Sequence, residues 1–190
     1  MLNIVLIRHG QTEGNADGRI QGQNDTPLTA DGIKHTLAKA LKLEKFLFNA
    51  VYCSDLGRAR HTLKALQGAL PSLPEAIYSK ELREIDFGEY AGMKKEEIMP
   101  TILRHKADTS RKYPGGESGD DLKKRVFKFF GSCFERHEGQ TLLVVSHYGI
   151  METAIRQFTD HPADLPVTIA PEAAYHLSFD GLTSARVKVL

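Results

Sequence analysis

Two arginines, two histidines and one glutamate carry the chemistry that this sequence suggests. Guanidinium groups match phosphate oxygens bidentately, so Arg8 and Arg58 are candidates for binding a phosphoryl group. A neutral imidazole can act as a covalent nucleophile, and His9 and His147 both follow short apolar runs. A protonated carboxyl group such as that of Glu84 can assist a leaving group. These residue types together indicate phosphoryl transfer, with a histidine as the nucleophile and without a metal ion.

Each of these residues, taken alone, is more often a solvated surface residue than a catalytic group. The case for a site depends on their shared position, because Arg8, Ser54 and Ser146 all stand at the ends of predicted strands. Four cationic or basic side chains would repel one another without an anion, so their convergence implies an anionic ligand. A non-catalytic protein that binds a phosphorylated ligand is the alternative from a different class. The presence of every reacting group in one chain counts against it.

Four short runs predict strands, of which the first, without alternation, and the last are typical of strands that are buried on both faces of a sheet. They cover residues 2–7, 50–53, 76–79 and 141–146. Helical spacing predicts helices between them, and strands that alternate with helices predict an α/β layered fold with a largely parallel sheet. Ligands in such sheets bind beyond the carboxyl ends of the strands.

The helices have recognisable starts. Thr29 is predicted to cap one helix, and Ser54 or Asp55 the next. The first of them would bury one apolar face, made of Ile33, Leu37, Ala40 and Leu41. Further elements are predicted over residues 94–99, 102–105, 120–137 and 149–158 as helices, and over 174–180 and 185–190 as a hairpin. Ser118 would cap the helix over 120–137, and the polar residues 9–27 predict a long functional loop.

Composition excludes several classes of protein. The 190 residues suffice for one domain, and we expect residues 1–190 to form it. A formal net charge of +1 gives no field that would favour nucleic acid or a membrane surface. Cys53 and Cys133 form no CxxC pair, which argues against a disulfide framework and a structural zinc site. Without a signal peptide or a long apolar run, a soluble cytoplasmic protein without metal or cofactor is expected.

Six short segments stand in order along nearly the whole chain. They are LIRHGQTEGN (6–15), GRIQGQNDTPLT (18–29), SDLGRARHT (54–62), LREIDFG (82–88), PGGES (114–118) and VSH (145–147). Together they resemble the motifs of the histidine phosphatase superfamily, the phosphoglycerate mutase-like proteins. The resemblance implies a three-layer α/β/α sandwich around a mostly parallel sheet.

The resemblance also implies a role for each reacting residue. His9 would be the nucleophile that becomes phosphorylated. Arg8, Arg58 and His147 would bind the phosphoryl group. Glu84 would protonate the leaving group and then act as the base for water.

Four further residues are implied in substrate binding. Asn15 would donate to a phosphate oxygen, while Gln21 and Gly22 would line the substrate mouth. Tyr148 stands where the family usually has a glycine, and we expect its ring over the substrate entrance. Gly14 replaces an aromatic residue that is common in relatives, which would leave a less filled pocket wall.

The family contains mutases as well as phosphatases. Mutases carry an insertion after the acid segment and a C-terminal tail over the site. Here a short stretch separates Glu84 from Ser118, and the chain ends on a predicted strand. An uncovered site admits water, so a phosphatase is favoured over a phosphoglycerate-type mutase.

The sequence does not identify the substrate, which we expect to be a small phosphorylated molecule. Short relatives include α-ribazole phosphate phosphatases, fructose-bisphosphate phosphatases and broad-specificity phosphatases. Residues 86–118 are a candidate lid, whose basic side chains could meet a second phosphate or a nucleotide-like tail. These are Lys94, Lys95, Arg104, Lys106, Arg111 and Lys112. A solvated helical face is the favoured interpretation of them. Whether the chain forms a homodimer is left open.

Overall fold

The sheet of this chain has six strands in the computed structural model, which describes residues 1–162 and 165–190. The strands are β1 (Leu2–Arg8), β2 (Ala50–Ser54), β3 (Ala76–Ser79), β4 (Thr141–Ser146), β5 (Ala174–Gly181) and β6 (Ser184–Val189). Their order across the sheet is β3-β2-β4-β1-β5-β6. The first four strands in this order are parallel, whereas β5 is antiparallel to β1 and β6 to β5. The predicted mostly parallel sheet is therefore confirmed, and the terminal hairpin is present.

Helices cover both faces of the sheet. They are α1 (Glu13–Ala16), α2 (Ala30–Leu43), α3 (Gly57–Ala69), α4 (Lys95–Ala107), α5 (Gly119–Arg136) and α6 (Tyr148–Phe158). Successive residues of β1 point to opposite faces, so Val5 and Ile7 pack with residues of α2 and α3. Ile4 and Leu6 pack on the other face with residues of α5 and α6. This arrangement is the expected three-layer α/β/α sandwich.

The apolar face predicted for α2 is wrong. Ile33, Leu37 and Leu41 are exposed, and the helix turns a different row of residues toward the sheet. That row consists of Gly32, Thr36, Lys39, Ala40 and Leu43. The rotation is fixed where α2 begins, because a Cβ on Gly32 would collide with the main chain of Gln11. The close approach of these two segments therefore determines which face is buried.

The start of α3 also differs from the prediction. Neither Ser54 nor Asp55 caps this helix, whose N-cap residue is Leu56. The carboxylate of Asp25, from the distant loop after β1, accepts hydrogen bonds from Gly57 N at 2.6 Å and Arg58 N at 3.2 Å. The cap thus ties the loop to the helix.

Residues 94–107 form one helix rather than two. α4 continues through Pro100, and it buries Ile98 and Ile102 on one side. Proline removes one hydrogen bond from a helix, and α4 remains continuous despite this loss. By contrast, α5 begins as predicted, since Ser118 forms a capping box with Asp121. No helix within the described ranges 1–162 and 165–190 is long and apolar enough to cross a membrane.

Candidate active site

Three neighbouring parallel strands deliver polar side chains to one edge of the sheet. Arg8 at the end of β1 is paired with Ser146 at the end of β4. The residues that follow, His9 and His147, therefore lie side by side, with ring centroids 5.1 Å apart. β2, on the other side of β4, ends at Ser54, whose Oγ lies 2.7 Å from His147 Nε2. The fold thus builds this edge from strand order alone.

His9 is held as a neutral imidazole with one free ring nitrogen. Its Nδ1 lies 2.7 Å from the carbonyl oxygen of Gly10, which can only accept, so Nδ1 carries the proton. Its Nε2 therefore has a lone pair, and this nitrogen accepts a 3.2 Å hydrogen bond from Arg58 Nε. Burial, followed by the charges of Arg58 and Arg8, holds the pKa of His9 well below its usual value. The ring is thus neutral and oriented at neutral pH, with its single proton on Nδ1.

Arg58 is an almost fully buried arginine in the first turn of α3. Its Nη1 donates to the carbonyl oxygen of Asn24 at 2.6 Å and to Asp25 Oδ1 at 3.0 Å. Its Nη2 donates to the carbonyl oxygen of Gly22 at 2.6 Å. The loop after β1 therefore fixes the plane of the guanidinium group, which faces His9. Asp25 both caps α3 and pairs with the arginine that α3 carries.

Arg8 and His147 each have a buried polar atom without a partner. Arg8 Nε and His147 Nδ1 form no hydrogen bond within the described part of the chain. Such atoms are costly to bury, so their presence at one edge indicates a ligand-binding position. Burial and then the charge of Arg58 hold the pKa of His147 well below its usual value. Burial also lowers the pKa of Arg8, although the charge of Glu84 opposes this shift.

Glu84 is partly exposed and points at the start of α6. Its Oε1 accepts hydrogen bonds from Ile85 N at 2.9 Å and Gly149 N at 3.1 Å. A Cβ on Gly149 would collide with Glu84 Oε1, so the glycine is what allows the carboxylate to lie here. The main-chain N–H of Gly149, at the start of α6, thus holds the carboxyl group in place.

The arrangement combines a neutral imidazole, one buried and one partly exposed guanidinium group, and one carboxylate. Cations of this kind can neutralise the oxygens of a phosphoryl group, and the carboxylate can transfer a proton. Within residues 1–162 and 165–190, no three His, Cys, Asp or Glu side chains are grouped so that they could hold a metal ion.

A family model described as the histidine phosphatase superfamily, branch 1, matches residues 4–183. The chain belongs to this superfamily. It is 33% identical over 152 residues to the probable phosphoglycerate mutase GpmB of Salmonella choleraesuis, which covers 77% of this chain and 70% of that protein. Two solved structures are similar to this chain along its whole length. YhfR of Bacillus stearothermophilus has a TM-score of 0.84 at 30% identity, covering 100% of this chain and 96% of that one. A putative α-ribazole-5'-P phosphatase of Escherichia coli has a TM-score of 0.81 at 26% identity, with the same coverage.

The four predicted substrate-binding residues lie in different settings. Asn15 lies in α1, where its Oδ1 accepts a 3.4 Å hydrogen bond from Thr12 N. Gln21 is buried, and its amide nitrogen donates to Thr12 Oγ1 at 2.7 Å. Gly22 offers its carbonyl oxygen to Arg58 and has a left-handed φ of 55°. Asn15 and Gln21 are thus engaged within the loop, and their contact with substrate stays a prediction.

Tyr148 lies beside Arg8, at the rim of the site. Its hydroxyl donates a 2.9 Å hydrogen bond to the carbonyl oxygen of Val167. The guanidinium carbon of Arg8 lies 5.8 Å from the ring centroid, and Lys106 Nζ lies 6.0 Å from it. The ring therefore stands between a phosphate-site arginine and α4.

Most of the basic side chains in 94–112 are engaged elsewhere. Lys94 pairs with Asp17 at 2.8 Å, and Lys106 pairs with Glu152 at 3.0 Å. Arg111 lies 3.8 Å from Asp108, and Lys112 lies 3.3 Å from Asp121. These pairs support the solvated helical face that the sequence favoured, rather than a second phosphate site.

Two residues that sequence reasoning missed hold the segment around Glu84. Arg125 on α5 binds both carboxylate oxygens of Glu117, at 2.9 and 2.8 Å. It also donates to the carbonyl oxygens of Glu81 and Arg83, at 2.8 Å each. Glu117 belongs to the PGGES segment, but nothing in the sequence pairs it with a residue on the next helix.

Proposed function

We propose that this chain hydrolyses a small phosphomonoester through a phosphohistidine on His9, without a metal ion. The observation that carries the proposal is the state of the His9 ring. Its Nδ1 is anchored to the carbonyl oxygen of Gly10, and its Nε2 has a lone pair that faces Arg58. A neutral, oriented imidazole beside two guanidinium groups suits attack on a phosphoryl group.

In the first step, Nε2 of His9 would attack the phosphorus atom. A phosphate oxygen that enters the site accepts the hydrogen bond from Arg58 Nε in place of His9. The lone pair of His9 Nε2 is then available for the attack. Arg8 Nε and His147 Nδ1, which are buried and have no hydrogen-bond partner among the described residues, supply further donors. The phosphorus–oxygen bond to the alcohol breaks as the new bond forms, and Glu84 gives its proton to the departing oxygen.

In the second step, water would attack the phosphohistidine. Glu84, now a carboxylate, takes a proton from the water as its oxygen bonds to phosphorus. The bond between phosphorus and Nε2 breaks, and inorganic phosphate leaves. The hydrogen bond from Nδ1 to Gly10 keeps the ring in place during both steps.

Hydrolysis suits this site better than transfer to a second alcohol. A mutase must hold its intermediate in the site, which needs further cationic groups beside the transferred phosphate. Lys94 and Lys106 are paired with Asp17 and Glu152, so they are not free charges for a second phosphate. Arg8 and Glu84 are both partly exposed, so water can reach the phosphohistidine. The name of the Salmonella relative makes a mutase the second candidate.

Rapid quenching with labelled substrate tests the proposal. A phosphoprotein that is labile in acid and stable in base should form within one turnover, in the presence of EDTA. Adding 3-phosphoglycerate should not divert the label from inorganic phosphate, whereas a mutase would transfer it.

His61→Ala is the matched control for His9→Ala, since His61 is an exposed histidine on α3. The labelled protein should persist in His61→Ala and be absent in His9→Ala. Label that persists in His9→Ala would contradict the assignment of the nucleophile.

A further inference from the structure

Lys39 on α2 is a fully buried lysine directly behind the end of β1. None of its side chain is exposed, and its Nζ donates a 2.6 Å hydrogen bond to the main-chain oxygen of Arg8. That partner is neutral, and the acidic residue that acts on Lys39, Glu172, is exposed. Lysine is almost never fully buried without an anionic partner. The full burial of Lys39 beside a neutral partner therefore needs a physical explanation.

The charges that face Lys39 are mainly positive. Burial lowers its pKa most, the charge of Arg8 on β1 lowers it further, and Lys42 on the same helix adds to this. Glu172 opposes the shift, and the result is a pKa of about 7. Lys39 in turn helps to lower the pKa of His9, so its charge reaches the proposed nucleophile.

The remaining titratable groups near α2 lie to either side of this contact. His35, one turn before Lys39, has a buried Nδ1 without a hydrogen bond in the described residues. On α3, which packs against α2, His61 and Lys64 line a groove with Ile33, on the outward side of α2. On its inward side, Lys39 contacts Arg8, which lies at the edge of the sheet that carries the proposed phosphate site.

We propose that Lys39 is a positioning residue of the phosphate site, which acts from behind Arg8 and His9 and takes up a proton when a phosphoryl dianion binds in front of them. The inference rests on the proposed function, because it needs a dianion at His9. Two negative charges there offset the repulsion that favours the neutral amine in the free protein. By linkage, an anion that favours protonation of Lys39 is itself bound more tightly when Lys39 is protonated.

Titration calorimetry with inorganic phosphate tests this proposal at about pH 8, in two buffers of different ionisation enthalpy. The wild-type chain should take up more protons per phosphate bound than Lys39→Met, which keeps the apolar stem and removes the charge. The variant should bind phosphate about tenfold more weakly at this pH. Burial alone keeps His9 and His147 neutral at this pH with or without the charge of Lys39, and the protons of phosphate itself enter both measurements alike.

Lys34→Met is the matched control, since Lys34 lies on the same helix with an exposed side chain. It should keep the affinity and the proton uptake of the wild-type chain. Lys39→Leu is a second neutral variant, suited to the apolar neighbours Ala40 and Leu43.

The two outcomes that contradict the proposal differ from each other. Equal proton uptake by the wild-type chain and both neutral variants of Lys39 would overturn this inference and leave the proposed function intact. A wild-type chain that binds no phosphate would overturn the proposed function and the inference with it. A structural role of Lys39 alone would change stability but not the number of protons.

Discussion

The inner half of the site, at the strand ends, and the outer half, at the rim, hold their side chains differently. At the strand ends, His9, Arg58 and His147 are 5%, 1% and 0% exposed, and the loop or a neighbouring strand fixes each one. At the rim, Glu84 and Tyr148 are partly exposed and stand on a loop and at a helix start. The inner half is fixed by the sheet, whereas the outer half depends on a few contacts.

This difference assigns different tasks to the two halves. A parallel sheet always brings neighbouring strand ends to one edge, so the phosphoryl-binding groups follow from strand order. The rim is built from segments whose sequences can change without disturbing that order. We therefore expect the choice of leaving group to depend on Glu84 and Tyr148, and phosphate affinity to depend on the inner half.

Replacing the acid should produce the largest effect of those we predict. Glu84→Gln keeps both hydrogen-bond geometry and size but cannot transfer a proton. Phosphorylation of His9 by an alkyl phosphate should slow by about 10²–10⁴-fold, because the alkoxide leaves poorly without a proton. Phosphorylation by nitrophenyl phosphate should change little, since that group leaves without help. Single-turnover labelling separates this step from hydrolysis, and equal losses for both substrates would mean that Glu84 is not the acid.

The burial of Lys39 behind the inner half should lower the free energy of unfolding by an amount that depends on pH. The pKa of Lys39 falls from 10.5 to about 7 on folding, so between these values the unfolded chain binds more protons. Wild-type stability should therefore rise as pH increases from about 7 toward about 10, and the penalty is fully present below about pH 7. Lys39→Met removes this penalty but leaves the Arg8 oxygen without its donor, which offsets part of the gain.

We expect Lys39→Met to raise the free energy of unfolding by about 2–3 kcal/mol near pH 6, and by less as pH increases. Urea unfolding at several pH values, without phosphate, measures the difference between the two proteins. A difference that grows with pH would show that Lys39 is not buried as a charge-sensitive group.

Gly149→Ala, at the rim, should lower activity without lowering stability. The new Cβ would collide with Glu84 Oε1 and displace the acid, while alanine suits a helix better than glycine. Turnover of an alkyl phosphate should fall by about tenfold, whereas the melting temperature should not fall. Gly131→Ala on α5 is the matched control, because its Cβ would meet only Leu182 Cδ1, at 3.7 Å. Turnover that is equal in both variants would contradict the position assigned to Glu84.

The sequence predicted the inner half better than the rim, for physical reasons. Apolar runs such as 141–146 identify strands because both faces of a central strand are buried, and His9 and His147 follow those runs directly. Helical periodicity alone did not identify the buried row of α2, because the contact of Gly32 with Gln11 sets the rotation.

Long-range polar contacts leave no local signal in a sequence. Asp25 caps a helix that begins more than thirty residues later. Arg125 supports Glu84 only because α5 folds back over that segment. Lys39 is part of an otherwise apolar layer, where a lysine is expected on the surface. The resemblance to a family supplied the role of Glu84, which composition and spacing could not have distinguished from other loop carboxylates.

The smallest predicted effect concerns the hydroxyl of Tyr148. Tyr148→Phe removes the hydrogen bond to the oxygen of Val167, which should lower the free energy of unfolding by about 1 kcal/mol. The ring would keep its place beside Arg8, so kcat/KM should stay within about twofold of the wild-type value. Tyr175→Phe is the matched control for stability, since its hydroxyl donates to Thr168 O, at 2.7 Å, away from the site. Lower kcat/KM in Tyr148→Phe with unchanged stability would mean that the hydroxyl, and not the ring, contacts the substrate. The outer half would then bind its leaving group by a specific hydrogen bond, and Tyr148→Phe would change the preference among alcohols that can donate or accept one.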